Sequence, residues 1–382
     1  MNTDNTFSKD SVLILIATFF YMICPMLSAP IIVGYTESLG GKGMLMGLIG
    51  GTMSMAAFVC RPFIGNLADR ILKYKLVLIG SVLLFIGSAG YFLSPIPELL
   101  MAARIIDGIG YACCSIGFSS WLASVVAPAK LGSAMGMYGT VQAIGMAIAP
   151  PIGIFVADAF GYRFSFVVTA VCALLTAIII NFVNNRGTPI AKDKKKIEIL
   201  EKNVVPIALI VMFFTIPYYA TQSFLLTYVN TAGIDVDVKW YFTVYAIFLV
   251  LLRTGLGRFF NVVPYRKFLL ICLISSVFMI LCLTFMKSNL VLFAGALFMA
   301  GSYGVMCSAS QSAAMKLAGS EKRGVGNITY YIGLDIGMMI GPVIAGFIYT
   351  HIDIDLFYPC MLFCPAGIIL VYILSSKKIR KA

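Results

Sequence analysis

The charged residues Arg104, Asp107 and Asp335 lie inside long apolar runs of the sequence, where a charged side chain is costly. Arg104 and Asp107 stand three positions apart in one run, and Asp335 stands in another run with no basic residue within one helical turn. A carboxyl in a low-dielectric setting is expensive to ionise, so Asp335 has the chemistry to take up and release a proton. Asp107, beside Arg104, is expected to stay ionised.

Each of these residues also has an ordinary structural explanation. Arg104 and Asp107 could form an ion pair within one helix, and Asp335 could be a neutral carboxyl that is hydrogen-bonded to another helix. For Arg104 and Asp107 we favour a functional role, because charges inside apolar helices are normally turned toward a cavity or a partner. For Asp335 both interpretations stay open.

The sequence lacks the residue patterns that several other common functions require. The chain has one histidine, His351, in a predicted loop, and it has no Gly-Lys-Ser/Thr nucleotide-binding signature. All ten cysteines fall within apolar runs, where a free Cys behaves as a small apolar residue, and their spacing indicates neither a disulfide framework nor a metal site. We therefore predict no enzymatic activity, no metal and no cofactor.

The apolar runs have the length of membrane spans. A chain with 60% hydrophobic and 12% charged residues cannot surround one water-soluble core without exposing large apolar surfaces. A membrane helix needs roughly 20 apolar residues, and the first run is too long for a signal peptide. We predict an all-α membrane protein of twelve spans, near residues 11–33, 43–64, 76–94, 97–125, 134–157, 163–183, 204–229, 238–260, 268–286, 289–313, 326–350 and 356–375.

Positive charge is distributed unequally between the two sides of these spans. With the N-terminus placed inside, 23 of the 28 Lys and Arg residues fall on the cytoplasmic side, including the inner ends of some spans, and four fall outside. This asymmetry predicts a multi-pass protein of the cell (inner) membrane with both termini in the cytoplasm. The net charge of +12 therefore reflects topology, and we expect no nucleic-acid partner.

The chain is an internal duplication. An offset of 192 residues brings matching residues into register at six positions: Pro25 with Pro217, Arg61 with Arg253, Gly65 with Gly257, Lys75 with Lys267, Gly145 with Gly337 and Pro150 with Pro342. We predict six-helix bundles at 1–183 and 204–382, joined by a cytoplasmic, partly helical linker at 184–203. Because six spans separate equivalent helices, the two bundles have the same orientation in the membrane.

Three motifs carry a resemblance that covers essentially the whole chain. They are Gly65, Asp69, Arg70 and Lys73 after the second span, Arg104 and Asp107 with Gly108 and Gly110 in the fourth, and Gly145, Pro150 and Gly153 in the fifth, echoed by Gly337 and Pro342 in the eleventh. Together they resemble the signatures of the major facilitator superfamily, whose fold has two parallel six-helix repeats around a central substrate site. Four positions depart from the family pattern: Leu72, Asp107, Ala149 and Ile154.

The first and third motifs have clear physical interpretations. Gly65 would let another backbone approach and Asp69 would offer a charge to a helix N-terminus or a basic partner, so we predict a conformational latch. In the fifth span the small residues and Pro150 favour close helix contact, which we expect between the two bundles. The family associates this last signature with exporters, although its echo in the eleventh span also suits plain packing.

The resemblance implies that the first, fourth, seventh and tenth spans face a central cavity. Their polar and aromatic residues are the candidate substrate contacts: Tyr21, Ser28, Arg104, Asp107, Tyr111, Tyr218, Tyr219, Gln222, Tyr303 and Gln311. For any one of them an interhelix hydrogen bond is the ordinary alternative. The aromatic, mildly polar wall suits a moderately lipophilic or zwitterionic small molecule.

The resemblance therefore implies a secondary active transporter. We expect export of a drug-like compound or metabolite by proton antiport with alternating access. Asp335, Asp107 and Arg104 would set the proton coupling, with Asp335 as the proton carrier and Arg104 with Asp107 on the substrate side. The partners would be a small molecule, protons and the lipid bilayer, and the protein would be a monomer. Two alternatives stay open: uptake of a sugar, peptide or other metabolite by proton symport, and a membrane receptor or scaffold.

Overall fold

The computed structural model describes residues 8–127, 130–189, 200–256 and 263–379, apart from the side chains at 69, 131–133, 253–254, 256, 320–324 and 377–378. These residues form helices and no strand. The helices are α1 (Lys9–Ser28), α2 (Ile32–Ser38), α3 (Met44–Arg70), α4 (Lys73–Leu93), α5 (Pro97–Val125), α6 (Leu131–Phe160), α7 (Tyr162–Ile179), α8 (Val205–Ala232), α9 (Val238–Leu256), α10 (Tyr265–Thr284), α11 (Asn289–Met299), α12 (Val305–His351), α13 (Phe357–Cys360) and α14 (Phe363–Ile379).

The apolar helices match the number of predicted spans. Among the described residues, eleven segments are long and apolar enough to cross a membrane, and a twelfth apolar segment in α9, Val238–Leu252, is shorter. The predicted all-α membrane fold is confirmed. His351, predicted to lie in a loop, is instead the last residue of α12.

Two of the spans depart from a simple helix. The first span is divided into α1 and α2, with Pro25 inside α1. α12 turns back on itself at Gly319, whose φ of +74° is one that only glycine adopts readily. Its two limbs then pack against each other, because a Cβ at Gly326 would lie 2.5 Å from the Cβ of Ala318. The first limb completes the tenth span, which begins with α11, and the second limb is the eleventh span.

The chain divides into two compact units. Unit 1 contains residues 1–41 and 52–195, and unit 2 contains residues 42–51 and 196–382. The start of α3 thus belongs with unit 2, which the sequence did not lead us to expect. Much of the predicted linker, residues 190–199, lies outside the described residues, and the predicted bundle limits at 183 and 204 stay a prediction.

Glycines on α6 bring it against α1 inside unit 1. A Cβ at Gly153 would lie 2.5 Å from the carbonyl oxygen of Leu27, and one at Gly145 would lie 3.2 Å from the Cβ of Met22. Pro150 is buried between them on the same helix. We had expected this stripe to join the two bundles, but the partner that the structure shows is the first helix of its own unit.

The echo of this motif makes the equivalent contact in unit 2. A Cβ at Gly337 would lie 2.6 Å from the Cβ of Thr215, and one at Gly341 would lie 2.7 Å from the carbonyl oxygen of Ile216. α12 therefore packs on α8 through glycines, with Pro342 buried in the same stripe. Since α8 is the counterpart of α1, both units pack the equivalent pair of helices together through glycines.

Gly153→Ala should destabilise the protein, because the added methyl meets a backbone carbonyl that cannot move aside. Overpacking of this kind typically costs about 1–3 kcal/mol. Gly136→Ala is the matched control on the same helix, since a Cβ there meets no described atom within 4 Å. Thermal unfolding in detergent should show a lower midpoint for Gly153→Ala alone. Equal midpoints for the two variants would contradict the packing assigned to α6.

Candidate functional site

The fourth-span motif forms a buried polar cluster in unit 1. The Oη of Tyr91 on α4 donates a hydrogen bond to Oδ2 of Asp107 on α5, at 2.8 Å. The guanidinium carbon of Arg104 lies 5.9 Å from the centre of the Tyr91 ring, and its Nη1 donates to Sδ of Met53 at 3.7 Å. Arg104 and Asp107 are 3% and 1% exposed. Both charged side chains are thus held inside the unit.

One oxygen of this carboxyl has no partner. Oδ1 of Asp107 is buried and accepts no hydrogen bond from any described residue. An unsatisfied buried polar atom is uncommon in folded proteins and often marks a functional position. This oxygen is consequently the one at which a proton, a water molecule or a ligand donor would be accommodated with least rearrangement.

Two glycines allow the helices to approach closely enough for this contact. A Cβ at Gly87 of α4 would lie 2.8 Å from the Cβ of Asp107, and one at Gly108 would clash with the carbonyl oxygen of Met53. The turn of α5 that carries Asp107 is therefore enclosed by α3 and α4. The sequence did not reveal Tyr91 as a partner of Asp107. The two residues belong to separate apolar runs, and helical periodicity does not predict contacts between two helices.

Tyr91→Phe should destabilise unit 1, since it removes the donor and leaves Oδ2 of Asp107 buried without its hydrogen bond. Such a loss typically costs about 1–3 kcal/mol. Tyr372→Phe makes the same chemical change on α14, where no hydrogen bond to the hydroxyl is seen among the described residues. Thermal unfolding of the purified variants is the measurement. If Tyr91→Phe is as stable as Tyr372→Phe, the hydrogen bond contributes nothing.

A second cluster in unit 1 brings together two predicted substrate contacts. The rings of Tyr21 on α1 and Tyr111 on α5 have centres 6.3 Å apart, and Tyr21 stacks on Phe118 at 5.1 Å. The Nε2 of Gln142 donates to the Oη of Tyr21 at 3.0 Å. Tyr111 lies one helical turn beyond Asp107 on α5. The structure shows Tyr111 next to α1, whereas Asp107 bonds to α4.

The predicted contacts in unit 2 centre on a group of tyrosines. The rings of Tyr218 and Tyr303 are stacked with centres 4.1 Å apart, and Tyr219 and Tyr245 lie 4.9 and 5.3 Å from Tyr218. Tyr303 is part of a π-helical turn, Ala300–Gly304, between α11 and α12. Such turns are frequent at functional positions. Tyr245 on α9 was missed because the resemblance placed that span outside the cavity wall.

The remaining predicted contacts lie apart from this tyrosine cluster or on its margin. Gln222 is buried on α8, one turn beyond Tyr218. Ser28 is buried and donates to the carbonyl oxygen of Pro25 at 3.2 Å, so its hydroxyl serves its own helix. Gln311 on the first limb of α12 donates from Nε2 to Oδ1 of Asn327 on the second limb, at 3.0 Å. Asp335 is 3% exposed on that second limb.

The predicted latch after the second span is changed by the structure. No described atom lies within 4 Å of a Cβ at Gly65, so the close backbone approach expected there is not seen. Arg70 is exposed, and the side chain of Asp69 lies outside the described residues. Lys73 is fully buried, and its Nζ donates to the carbonyl oxygen of Ala68 at the end of α3. Lys73 therefore caps a helix and is not a surface charge.

Residues 183–189, which we call the strap, cover Lys73. The backbone N–H groups of Asn184 and Asn185 donate to the two carboxylate oxygens of Asp10 on α1, at 3.0 and 2.8 Å. The indole Nε1 of Trp121 on α5 donates to the carbonyl oxygen of Asn185 at 2.7 Å. The start of the linker, predicted to be partly helical, is thus an extended segment fixed to two helices.

The strap also caps α4. The first N–H groups of that helix, from Lys73 and Tyr74, donate to the carbonyl oxygens of Gly187 and Arg186, both at 3.1 Å. These donors have no partner inside the helix, so the strap supplies what a capping side chain usually provides. The guanidinium of Arg186 lies 4.1 Å from the centre of the Tyr74 ring. Gly187 has φ +66°, and a Cβ there would lie 2.6 Å from Cγ of Lys73.

Asp10→Asn should release the strap in part, because an amide offers one acceptor where the carboxylate offers two. Its NH₂ group would also face the strap N–H groups as a second donor. Loss of a charge-assisted hydrogen bond typically costs about 1.5–3 kcal/mol. The unfolding midpoint in detergent should fall for Asp10→Asn and stay unchanged for Glu98→Gln, a matched variant at an exposed acid in the first turn of α5. If the unfolding midpoint is unchanged in both variants, the hydrogen bonds between Asp10 and the strap do not contribute to stability.

Long apolar helices in two compact units, with charged and aromatic residues buried among them, are typical of a membrane transport protein. The family model for the Major Facilitator Superfamily matches residues 14–238 and again residues 235–381. The chain belongs to that superfamily, whose model matches it twice. The predicted resemblance is confirmed, and the family and fold are those of transporters.

Relatives and a solved structure agree with this assignment. The chain is 22% identical over 360 residues to Multidrug resistance protein 2 of Bacillus subtilis, covering 90% of this chain and 88% of the relative. It is 26% identical over 391 residues to the multi-drug resistance efflux pump PmrA homolog of Lactococcus lactis, covering 96% and 95%. A bacterial homolog of the human lysosomal transporter Spinster has the same fold, with a TM-score of 0.77, 15% identity and 98% of each chain covered.

Proposed function

We propose that this transporter exports a small, moderately lipophilic molecule and is driven by protons that move in the opposite direction. The observation that carries the proposal is one buried acid far from the ends of a membrane helix in each unit, Asp107 in α5 and Asp335 in α12. Acids in such positions are rare and mark proton relays and substrate pathways in transporters.

The two acids have different surroundings, which supports different roles. Asp107 is hydrogen-bonded to Tyr91 and lies one helical turn from Arg104, so it belongs to a local network. Asp335 is buried on the second limb of α12, in the other unit. We assign proton carriage to Asp335 and a substrate-side role to Arg104 and Asp107.

The tyrosine clusters support an aromatic or lipophilic substrate. Tyr218, Tyr219 and Tyr303 present large rigid rings with polar hydroxyls, and such surfaces bind flat apolar molecules while offering a few directional hydrogen bonds. Tyr21 and Tyr111 do the same in unit 1. The other proposed contacts are Gln222 and Gln311; Ser28 is the weakest candidate because it is bonded to its own helix.

Export is supported by the names of the relatives. Two proteins that match nearly the whole chain are called a multidrug resistance protein and a multi-drug resistance efflux pump homolog. The distribution of Lys and Arg supports a cell-membrane protein with both termini in the cytoplasm. We further propose that it works as a monomer by alternating access. Any latch after α3 then depends on Asp69 and Arg70, since Lys73 is buried.

Asp335→Asn should abolish uphill transport, because an amide cannot carry a proton. A substrate is first found by comparing the growth of cells with and without the protein on a panel of toxic compounds. Purified protein in vesicles is then tested for accumulation of that compound under an imposed pH gradient, and for exchange of labelled against unlabelled compound. We expect accumulation to be lost and exchange to persist.

The control is Asp353→Asn, the same change at an exposed acid just beyond α12, which should accumulate normally. If Asp335→Asn still transports the compound uphill, Asp335 is not the proton carrier and Asp107 becomes the candidate. If the compound moves only inward in cells, the protein is an importer and the proposed direction is wrong.

A further inference from the structure

Three polar residues on the second limb of α12 are spaced by four positions: Asn327, Tyr331 and Asp335. Residues four apart on a helix lie one above the other on the same face. The three side chains therefore form a column that runs along the limb. Counting 1.5 Å per residue, Asn327 is the member nearest the bend at Gly319 and Asp335 is the deepest.

The other limb adds a fourth member to this column. The Nε2 of Gln311 donates to Oδ1 of Asn327 at 3.0 Å and lies 3.3 Å from the Oη of Tyr331. One amide thus touches the two outer members of the column. Gln311, Asn327 and Tyr331 are thus brought together by hydrogen bonds, and Asp335 lies one helical turn beyond Tyr331.

The four polar side chains differ in exposure, and the most exposed of them is the middle member of the column. Tyr331 is 39% exposed, and Gln311 and Asn327 are half-buried, whereas Asp335 is 3% exposed. Polar side chains in membrane helices normally face the protein interior or a water-filled cavity, because contact with hydrocarbon leaves their hydrogen bonds unmade. We therefore expect Gln311, Asn327 and Tyr331 to be hydrated.

The column does not belong to the face that packs on α8. Gly333 and Gly337 contact α8, and Asp335, two residues from each, is turned by about 160° from both on a helix of 3.6 residues per turn. Two other helices that contact α12 have their charged residues near their ends: Lys239 and Arg253 in α9, and Arg266 and Lys267 in α10. The ionisable side chains of α8 are tyrosines alone, at 218, 219 and 228.

We propose that Gln311, Asn327 and Tyr331 form a hydrated path along which protons reach Asp335 from the end of the helix pair at Gly319. The inference rests on the proton-carrying role proposed for Asp335. The three residues act through Asp335 and are positioning residues: their hydrogen-bonding groups hold water beside the column. This assigns Gln311 to proton access instead of substrate contact, and it adds Asn327 and Tyr331, which the sequence did not indicate.

The path is tested by chemical labelling of Asp335 in the full-length protein in vesicles. A water-soluble carbodiimide with glycine ethyl ester couples to carboxyls that water reaches, and a membrane-soluble carbodiimide reaches the same carboxyl through the bilayer. Mass spectrometry of the peptide that contains Asp335 gives both rates at one fixed pH. Their ratio isolates water access from any change in the reactivity of the carboxyl itself.

We expect Asn327→Leu and Gln311→Leu to slow the water-soluble reaction several-fold and to leave the membrane-soluble reaction unchanged. Tyr331→Phe keeps the ring and provides the same comparison if a leucine variant does not fold. Tyr349→Phe is the control on the same helix, because its hydroxyl pairs with Thr231 at 2.9 Å, away from the column. It should label like the unmodified chain.

Two results would overturn the path. One is an equal ratio of rates in all variants, and the other is no water-soluble labelling of Asp335 in the unmodified protein. The labelling does not depend on transport. If the ratios change as expected but Asp335→Asn still pumps uphill, the hydrated path is right and the proton-carrying role of Asp335 is wrong.

Discussion

The structure depends on one constraint: a polar group inside a membrane helix must find its partner within the protein, because hydrocarbon offers none. Asp107 meets it through Tyr91, and Gln311 meets it through Asn327 across the bend of α12. Each such pair ties two helices together at one register. The polar pairs therefore fix which helix faces are in contact. The apolar residues between them add contact area, but their packing is not directional.

Glycine makes these pairings possible. Short donors and acceptors reach across a helix interface only where the backbones are close, and Gly87 allows this at Asp107. In both units a glycine stripe brings α6 onto α1 and α12 onto α8. The duplicated motif thus preserves a packing relation, and the side chains around it have diverged: unit 1 has the charged cluster at Arg104, and unit 2 has the stacked tyrosines at Tyr218 and Tyr303.

The strap extends the same constraint to a helix end. The first N–H groups of α4 donate to the carbonyl oxygens of residues 186 and 187. The carboxylate of Asp10 accepts hydrogen bonds from two N–H groups of the strap. By composition this segment is only the start of a basic linker. In the structure it caps a helix of unit 1. Lys73 and Trp121 are buried beneath it or bonded to it.

The sequence by itself determined the all-helical membrane fold, the twelve apolar segments, the duplication at an offset of 192 residues and the family. These properties depend on local hydropathy and on residue spacing along the chain, and both are present before folding. It also identified Arg104, Asp107 and Asp335 as the buried charges. Only the tertiary structure decided that Tyr91 partners Asp107, that the Gly145 and Gly153 stripe faces α1, that Lys73 is buried and that Gln311 joins Asn327. Helical periodicity tells which residues share a face, but the helix that this face meets is set by packing between segments far apart in the chain.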